Sequence, residues 1–410
     1  MALPEPKRAA APGPLAIAAD EIVDPPRRRY TLDGDAAVEA RIEADQRRIA
    51  AAVDEAVPGE HFVALVLMGG YGRGEGGYVQ TDAGPAPYND YDYFVVIHGL
   101  GRKARDSLAR RLGGIAHRLE RQLGLEVDFA LLPLKRLPRA ESSLMNAEMR
   151  WGHRVVAGDS HVLDAMPEMP FRQVPPGEIT RLLLNRGSLL LMDRQRLRRG
   201  GALSATEREV FFKYLFKAVL ACGDAWLARA GRYHPSYPVK LERLESLGQP
   251  RPGVDAAAEW TRFLDLYRLA YRHKFHPAYA ELSDARPDDW LARVVRTWLA
   301  ALAGFEQRRI GRRFGNWIDY CAEGLAKGQA GSAARNLAVT LRDFGAAEAL
   351  RRPGRSLRYP RERLIGTLPL LLSDLGAHPD PCVSHALALD ADSTWDAAAD
   401  AFLNRWRRYS

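Results

Sequence analysis

The sequence predicts an α/β (α+β) domain built on a mixed sheet, followed by an α-helical C-terminal region. Three observations predict it. Apolar runs rich in β-branched and aromatic residues occur at 62–68, 91–97 and 125–132, the pattern of buried strands. Stretches of helical period lie among them. From about Pro175 onward strand signals nearly vanish, and helical periods fill 181–192, 205–230, 256–273, 288–305, 313–326 and 332–351.

Within the first region, 39–57 carries Ile42, Ile49 and Val53 near a helical spacing and is stopped by Pro58-Gly59. The run 62–68 leads straight into Gly69 and Gly70, the start of a stretch with six glycines through Gly77. Gly84, Pro85 and Pro87 make 81–89 a loop. A helix over 102–123 places Leu108, Leu112, Ile115, Leu119 and Leu123 on one side, and Gly124 ends it. Pro133 closes the third strand, and 154–157 is a short further strand. The expected division is a flexible segment 1–34, an α/β domain 35–165 and a helical portion 170–410.

The 410 residues carry a net charge of +8 and a pI near 9.4. A positive field favours phosphate-bearing partners without saying which. Three scattered cysteines, Cys222, Cys321 and Cys382, provide neither a zinc spacing nor a disulfide framework. The N-terminus has four prolines and no apolar core of an export signal, and the run 364–372 is too short to span a bilayer. The expected location is the cytoplasm, without a membrane partner.

The residues with chemical content lie together in the chain. Glycine at 69 and 70 lets the backbone turn sharply and approach an anion. The next strand opens Asn89, Asp90, Tyr91, Asp92, and residues two apart in a strand share a face. Two carboxylates so placed repel one another unless a cation lies between them. In the third strand, Leu125, Val127, Phe129 and Leu131 form an apolar face, which leaves Asp128 on the other one, able to join the pair. Hard divalent cations take such oxygen ligands.

The order Gly69-Gly70, Arg73-Gly74-Glu75, Asp90-Tyr91-Asp92, Asp128 resembles the DNA polymerase beta-type nucleotidyltransferase superfamily, and its Arg-Gly-Glu piece is similar to the minimal and aminoglycoside nucleotidyltransferases. The resemblance covers about residues 60–160. It implies that Asp90, Asp92 and Asp128 are catalytic and ligate two Mg²⁺ or Mn²⁺ ions, with Asp128 often credited as base. Gly69, Gly70, Arg73 and the helical Lys213 and Lys217 would bind the nucleotide. The implied reaction moves a nucleoside monophosphate from an NTP to an acceptor and releases pyrophosphate. A small molecule or protein side chain is the favoured acceptor, an RNA or tRNA end the alternative. A non-catalytic nucleotide-binding regulator or antitoxin-like module is the other class.

This chain departs from the family pattern in two places. Gly70 stands where many members have Ser, so that phosphate contact must come from backbone alone. The gap from Glu75 to Asp90 is also longer, which makes 78–88 a lid or an acceptor-binding element. Gly72, Gly74 and Gly77 also match a dinucleotide fingerprint, but that needs a helix opening at the glycines, and Gly84, Pro85 and Pro87 forbid one. Other residues carry two readings each. Lys240 lines the cleft or is structural, and Glu75 places an acceptor or caps a turn. Glu126 joins the acids or faces solvent, and the basic runs 194–199 and 351–363 bind RNA or are solvated surface. His234, His273 and His276 show no metal spacing.

Overall fold

The computed structural model describes residues 15–19, 22, 29–248, 254–322, 332–351, 353–373 and 376–409. The chain forms two compact units, and neither is continuous. One joins Ala18–Pro175 to Tyr233–Asp284; the other gathers Met1–Ile17, Pro176–Arg232 and Ala285–Ser410. The chain leaves the sheet-bearing unit after Pro175 and returns to it for 52 residues, Tyr233–Asp284.

The first unit is a mixed α/β arrangement. Its four-stranded sheet has the order β5-β4-β1-β6, where β1 is Phe62–Leu67, β4 Tyr91–Ile97, β5 Val127–Pro133 and β6 Arg154–Gly158. β1 runs antiparallel to β4 and β6, and β4 runs parallel to β5. The parallel pair needs a crossover, which α3 (Arg102–Leu123) supplies before ending at Gly124 in the left-handed conformation. α1 (Ala36–Asp54) starts at an Asp35 cap that accepts the N–H groups of Ala37 and Val38. α1 and α3 cover one sheet face. Val38, Ile42 and Ile49 from α1, and Leu108, Leu112 and Leu119 from α3, pack against Leu65, Leu67, Tyr91, Tyr93, Val95, Ile97 and Val127.

The segment expected to be a loop over 81–89 contains the second strand of a hairpin. β2 (Tyr78–Thr81) pairs antiparallel with β3 (Gly84–Pro87), with Tyr78 opposite Pro87 and Gln80 opposite Pro85. The prolines do not break this pairing. The N–H of Tyr88 donates to the Gly77 carbonyl at 3.1 Å, so by alternation the ladder bonds fall at Ala86 and Gly84, and both prolines occupy positions where no N–H is called upon.

The described part of 29–34 is anchored to α1. Glu39 accepts the N–H of Tyr30 at 2.8 Å and that of Thr31 at 3.0 Å, and Thr31 bridges to Gly76. The rest of 1–34 lies mostly outside the described residues. The unit is completed by α4 (Leu144–Trp151), α7 (Tyr237–Leu247) and α8 (Val254–Phe275).

The second unit is helical throughout the described residues. α5 (Gly177–Arg198), α6 (Ala205–Arg229) and α9 (Pro287–Ile310) pack together over Leu183, Leu190, Phe211, Leu215, Trp298 and Phe305, all buried. Among the described residues no helix is long and apolar enough to cross a membrane.

Candidate active site

The aspartates singled out in the sequence share one face of the sheet. In the parallel pair, Asp92 stands in register with Asp128, and Tyr91 with Val127. Tyr91, Tyr93 and Val127 point into the core beneath α1 and α3, so Asp92 and Asp128 project from the opposite face. Asp90 precedes β4 by one residue and follows the same alternation as Asp92. Asp90 and Asp92 are half-buried and Asp128 is exposed.

The glycine turn lies against them. Gly69–Gly72 forms one short helical turn, α2, directly after β1. Gly69 has φ +64°, and a Cβ there would stand 3.0 Å from Asp92 Oδ2, so only glycine suits both the backbone and the neighbouring carboxylate. The N–H of Met68 donates to the Asp92 carbonyl at 2.8 Å.

The donor chemistry fits a hard divalent cation, since three carboxylates on one face offer the oxygens such ions take. Among the described residues, however, no group of three or more His, Cys, Asp or Glu side chains is gathered closely enough to hold a metal ion. Asp92 and Asp128 are thus register partners and Asp90 follows the alternation of Asp92, without the three forming a closed coordination shell.

Arg73 and Glu75 point elsewhere than open solvent. Arg73 is buried, with its Nη1 3.4 Å from Glu148 Oε2. Glu148 also accepts the Tyr233 hydroxyl. Burial alone would raise the Glu148 carboxyl, but the charges of Arg73 and Lys240 and the Tyr233 bond hold it below its ordinary value. Glu75, 2% exposed, accepts from Ser236 Oγ at 2.5 Å and from the N–H of Tyr237 at 3.2 Å. It therefore caps α7, a helix begun 162 residues further along the chain. Lys240 is buried in the same unit, its Nζ 4.8 Å from the Tyr233 ring centroid and 4.4 Å from that of Tyr237, and Lys274 lies 4.4 Å from the same Tyr237 ring.

Lys213 and Lys217 are half-buried on α6 in the helical unit. Glu126 is exposed just ahead of β5, and its carbonyl accepts the N–H of Tyr91 at 2.9 Å. His234 Nδ1 accepts the N–H of Ser236 at 3.0 Å, His273 Nδ1 that of Ala278 at 3.3 Å, and His276 Nε2 lies 3.0 Å from Asp33. In the run 194–199, Arg194 is buried, Arg196 bonds Asp193 at 2.8 Å and Arg198 covers the Trp395 ring. In the run 351–363, Arg363 is buried against Glu348 at 2.9 Å and Arg361 donates to the Tyr409 carbonyl; the side chains of 351–353 and 355 lie outside the described residues.

Sequence reasoning missed Tyr71, Glu148, Tyr233 and Ser236. Glu148, Tyr233 and Ser236 act on partners distant in the chain, and the bonds of Tyr71 to Gly77, Tyr88 and Asn89 depend on how the turn folds back beside the hairpin. Asn89 carried a signal in its place beside the acidic pair; its Oδ1 accepts the N–H of Gly77 at 2.6 Å. Set against protein-family models, curated proteins and solved structures, the chain matches none.

Proposed function

We propose that the sheet-bearing unit is a metal-dependent nucleotidyltransferase domain, moving a nucleoside monophosphate from an NTP to an acceptor. The observation that supports the reading best is the register of Asp92 with Asp128 on the face opposite the core, beside a glycine turn that leaves room for the Asp92 carboxylate. In this reading Asp90, Asp92 and Asp128 hold Mg²⁺ or Mn²⁺. Such ions, when bound, neutralise triphosphate charge and lower the pKa of an attacking hydroxyl. The acceptor oxygen bonds to the α-phosphorus, the bond from that phosphorus to the bridging oxygen breaks, and pyrophosphate leaves. Asp128, the most exposed of the three, takes the acceptor proton. Gly69 and Gly70 let backbone approach the phosphates without a side chain in the way. A small molecule or a protein side chain is the acceptor this reading favours.

The test is to incubate the full chain with each labelled NTP and Mn²⁺ and to measure pyrophosphate release and label transfer to the protein. Release is expected, and the Asp90→Asn/Asp92→Asn double variant should abolish it, because removing the ligands leaves developing charge unneutralised. Undiminished release in that variant would exclude the assignment. Nucleotide binding without release would favour a non-catalytic regulator.

A further inference from the structure

One hydroxyl ties together the turn after β1 and the segment that leads into β4. Tyr71, in α2, is fully buried, and its ring lies 5.0 Å from that of Tyr91. Its Oη donates to the Gly77 carbonyl at 2.6 Å and accepts the N–H groups of Tyr88 at 2.9 Å and Asn89 at 3.1 Å. One donor and two acceptor sites are all that a phenol has, so the group is saturated. Burial raises the hydroxyl well above the ordinary tyrosine value, against the opposing pull of those two N–H groups; it stays protonated and keeps its donor role. Asn89 closes the ring of bonds through Oδ1 to the N–H of Gly77. Gly77 is held on a third side, since a Cβ there would come within 2.4 Å of the Lys274 carbonyl oxygen at the end of α8.

The residue immediately before Asp90 thus has its N–H committed to Tyr71 and its side chain to Gly77. We infer that Tyr71 is a positioning residue: its hydroxyl fixes the backbone that presents Asp90 beside Asp92 and Asp128. The inference rests on the reading of these aspartates as cation ligands. It deepens that reading by naming what holds one of them in place without touching the cation. Removing such a supporting bond lowers metal affinity by roughly 10-fold to 100-fold.

The experiment measures Mn²⁺ affinity of the full chain by the paramagnetic resonance signal of free Mn²⁺, at a temperature where circular dichroism shows each variant folded. Tyr71→Phe keeps the ring and removes the hydroxyl. Tyr93→Phe is the control. Its hydroxyl is equally buried and donates to Gln46 Oε1 at 2.5 Å on the core side of the sheet. The expected result is affinity lower by about tenfold or more in Tyr71→Phe and unchanged in Tyr93→Phe, with both variants losing thermal stability. Wild-type affinity in Tyr71→Phe overturns the inference and leaves the proposed function standing. Absence of Mn²⁺ binding by the wild-type chain overturns both. Should Tyr71→Phe not fold, amide exchange in the wild-type chain decides: the Asn89 N–H should be among the slowest of its unit, and rapid exchange there overturns the inference.

Discussion

Glu75 and Ser236, 161 residues apart, are joined by a 2.5 Å hydrogen bond from the serine hydroxyl to the carboxylate. The second oxygen of Glu75 takes the N–H of Tyr237, so one buried side chain fastens the glycine-rich turn to the first residues of α7. Charge-assisted bonds to a buried carboxylate are the strong kind. Glu75→Gln keeps the shape but can no longer accept from both groups. It should destabilise the sheet-bearing unit by about 2 kcal/mol. Scanning calorimetry should show its transition lowered by roughly 4–8 °C; an unchanged transition would show that the clamp is idle.

Gly69→Ala should cost twice. The left-handed backbone at φ +64° penalises a Cβ by about 1–2 kcal/mol. The same Cβ would press on Asp92 Oδ2 at 3.0 Å, so Mn²⁺ affinity should also fall. A variant as stable and as Mn²⁺-competent as wild type would mean that the turn does not hold the Asp92 carboxylate where described.

Among these features, the sequence made the strands and α3 legible, because hydrophobic period and glycine termination are local signals. Leu125, Val127, Phe129 and Leu131 marked the core face, and the opposite face of Asp128 followed from alternation alone. The hairpin was hidden by Pro85 and Pro87, whose harmless ladder positions depend on register. The clamp from Glu75 and the Arg73–Glu148 pair were hidden for another reason. Each joins residues at least 75 positions apart, and no period in a sequence reports which distant helix returns to a sheet. Arg73 read as a free phosphate donor because its partner Glu148 lay outside the motif.

The pH dependence of the helical unit should carry the mark of Asp193. Burial pushes this carboxyl up to about 9, against the opposing charge of Arg196; Oδ2 has no hydrogen-bond partner among the described residues. The folded chain therefore holds a proton that the unfolded chain releases near pH 3.8. Stability from this group is full below that value and declines as pH rises towards about 9, by at most about 1.4 kcal/mol per pH unit. Asp193→Asn should flatten urea-unfolding midpoints across the window. An equally steep decline in the variant would assign the slope to other groups.

His273 should act in the opposite sense on the other unit. Burial, aided by Arg272, lowers it from 6.5 to about 4, and its Nδ1 must stay unprotonated to accept the Ala278 N–H. The unfolded chain binds a proton first as pH falls, so stability is complete above pH 6.5 and is lost on acidification towards about 4. His273→Asn keeps an acceptor without a titrating ring, and acid unfolding of the variant should begin at lower pH. Coincident acid transitions would count against this linkage.

The interrupted path of the sheet-bearing unit has a consequence for the order in which the protein is made. Glu75 leaves the ribosome well before its partners exist. At about 5–20 residues per second, the 161 residues separating it from Ser236 take roughly 8–32 s to synthesise. During that interval the nascent sheet lacks α7 and α8, and a carboxylate destined for burial stays in water. A ribosome stalled far enough past codon 175 to expose β6, yet before codon 233, should therefore carry a protease-sensitive chain, whereas one stalled beyond codon 284 and far enough along to expose α8 should carry a resistant one.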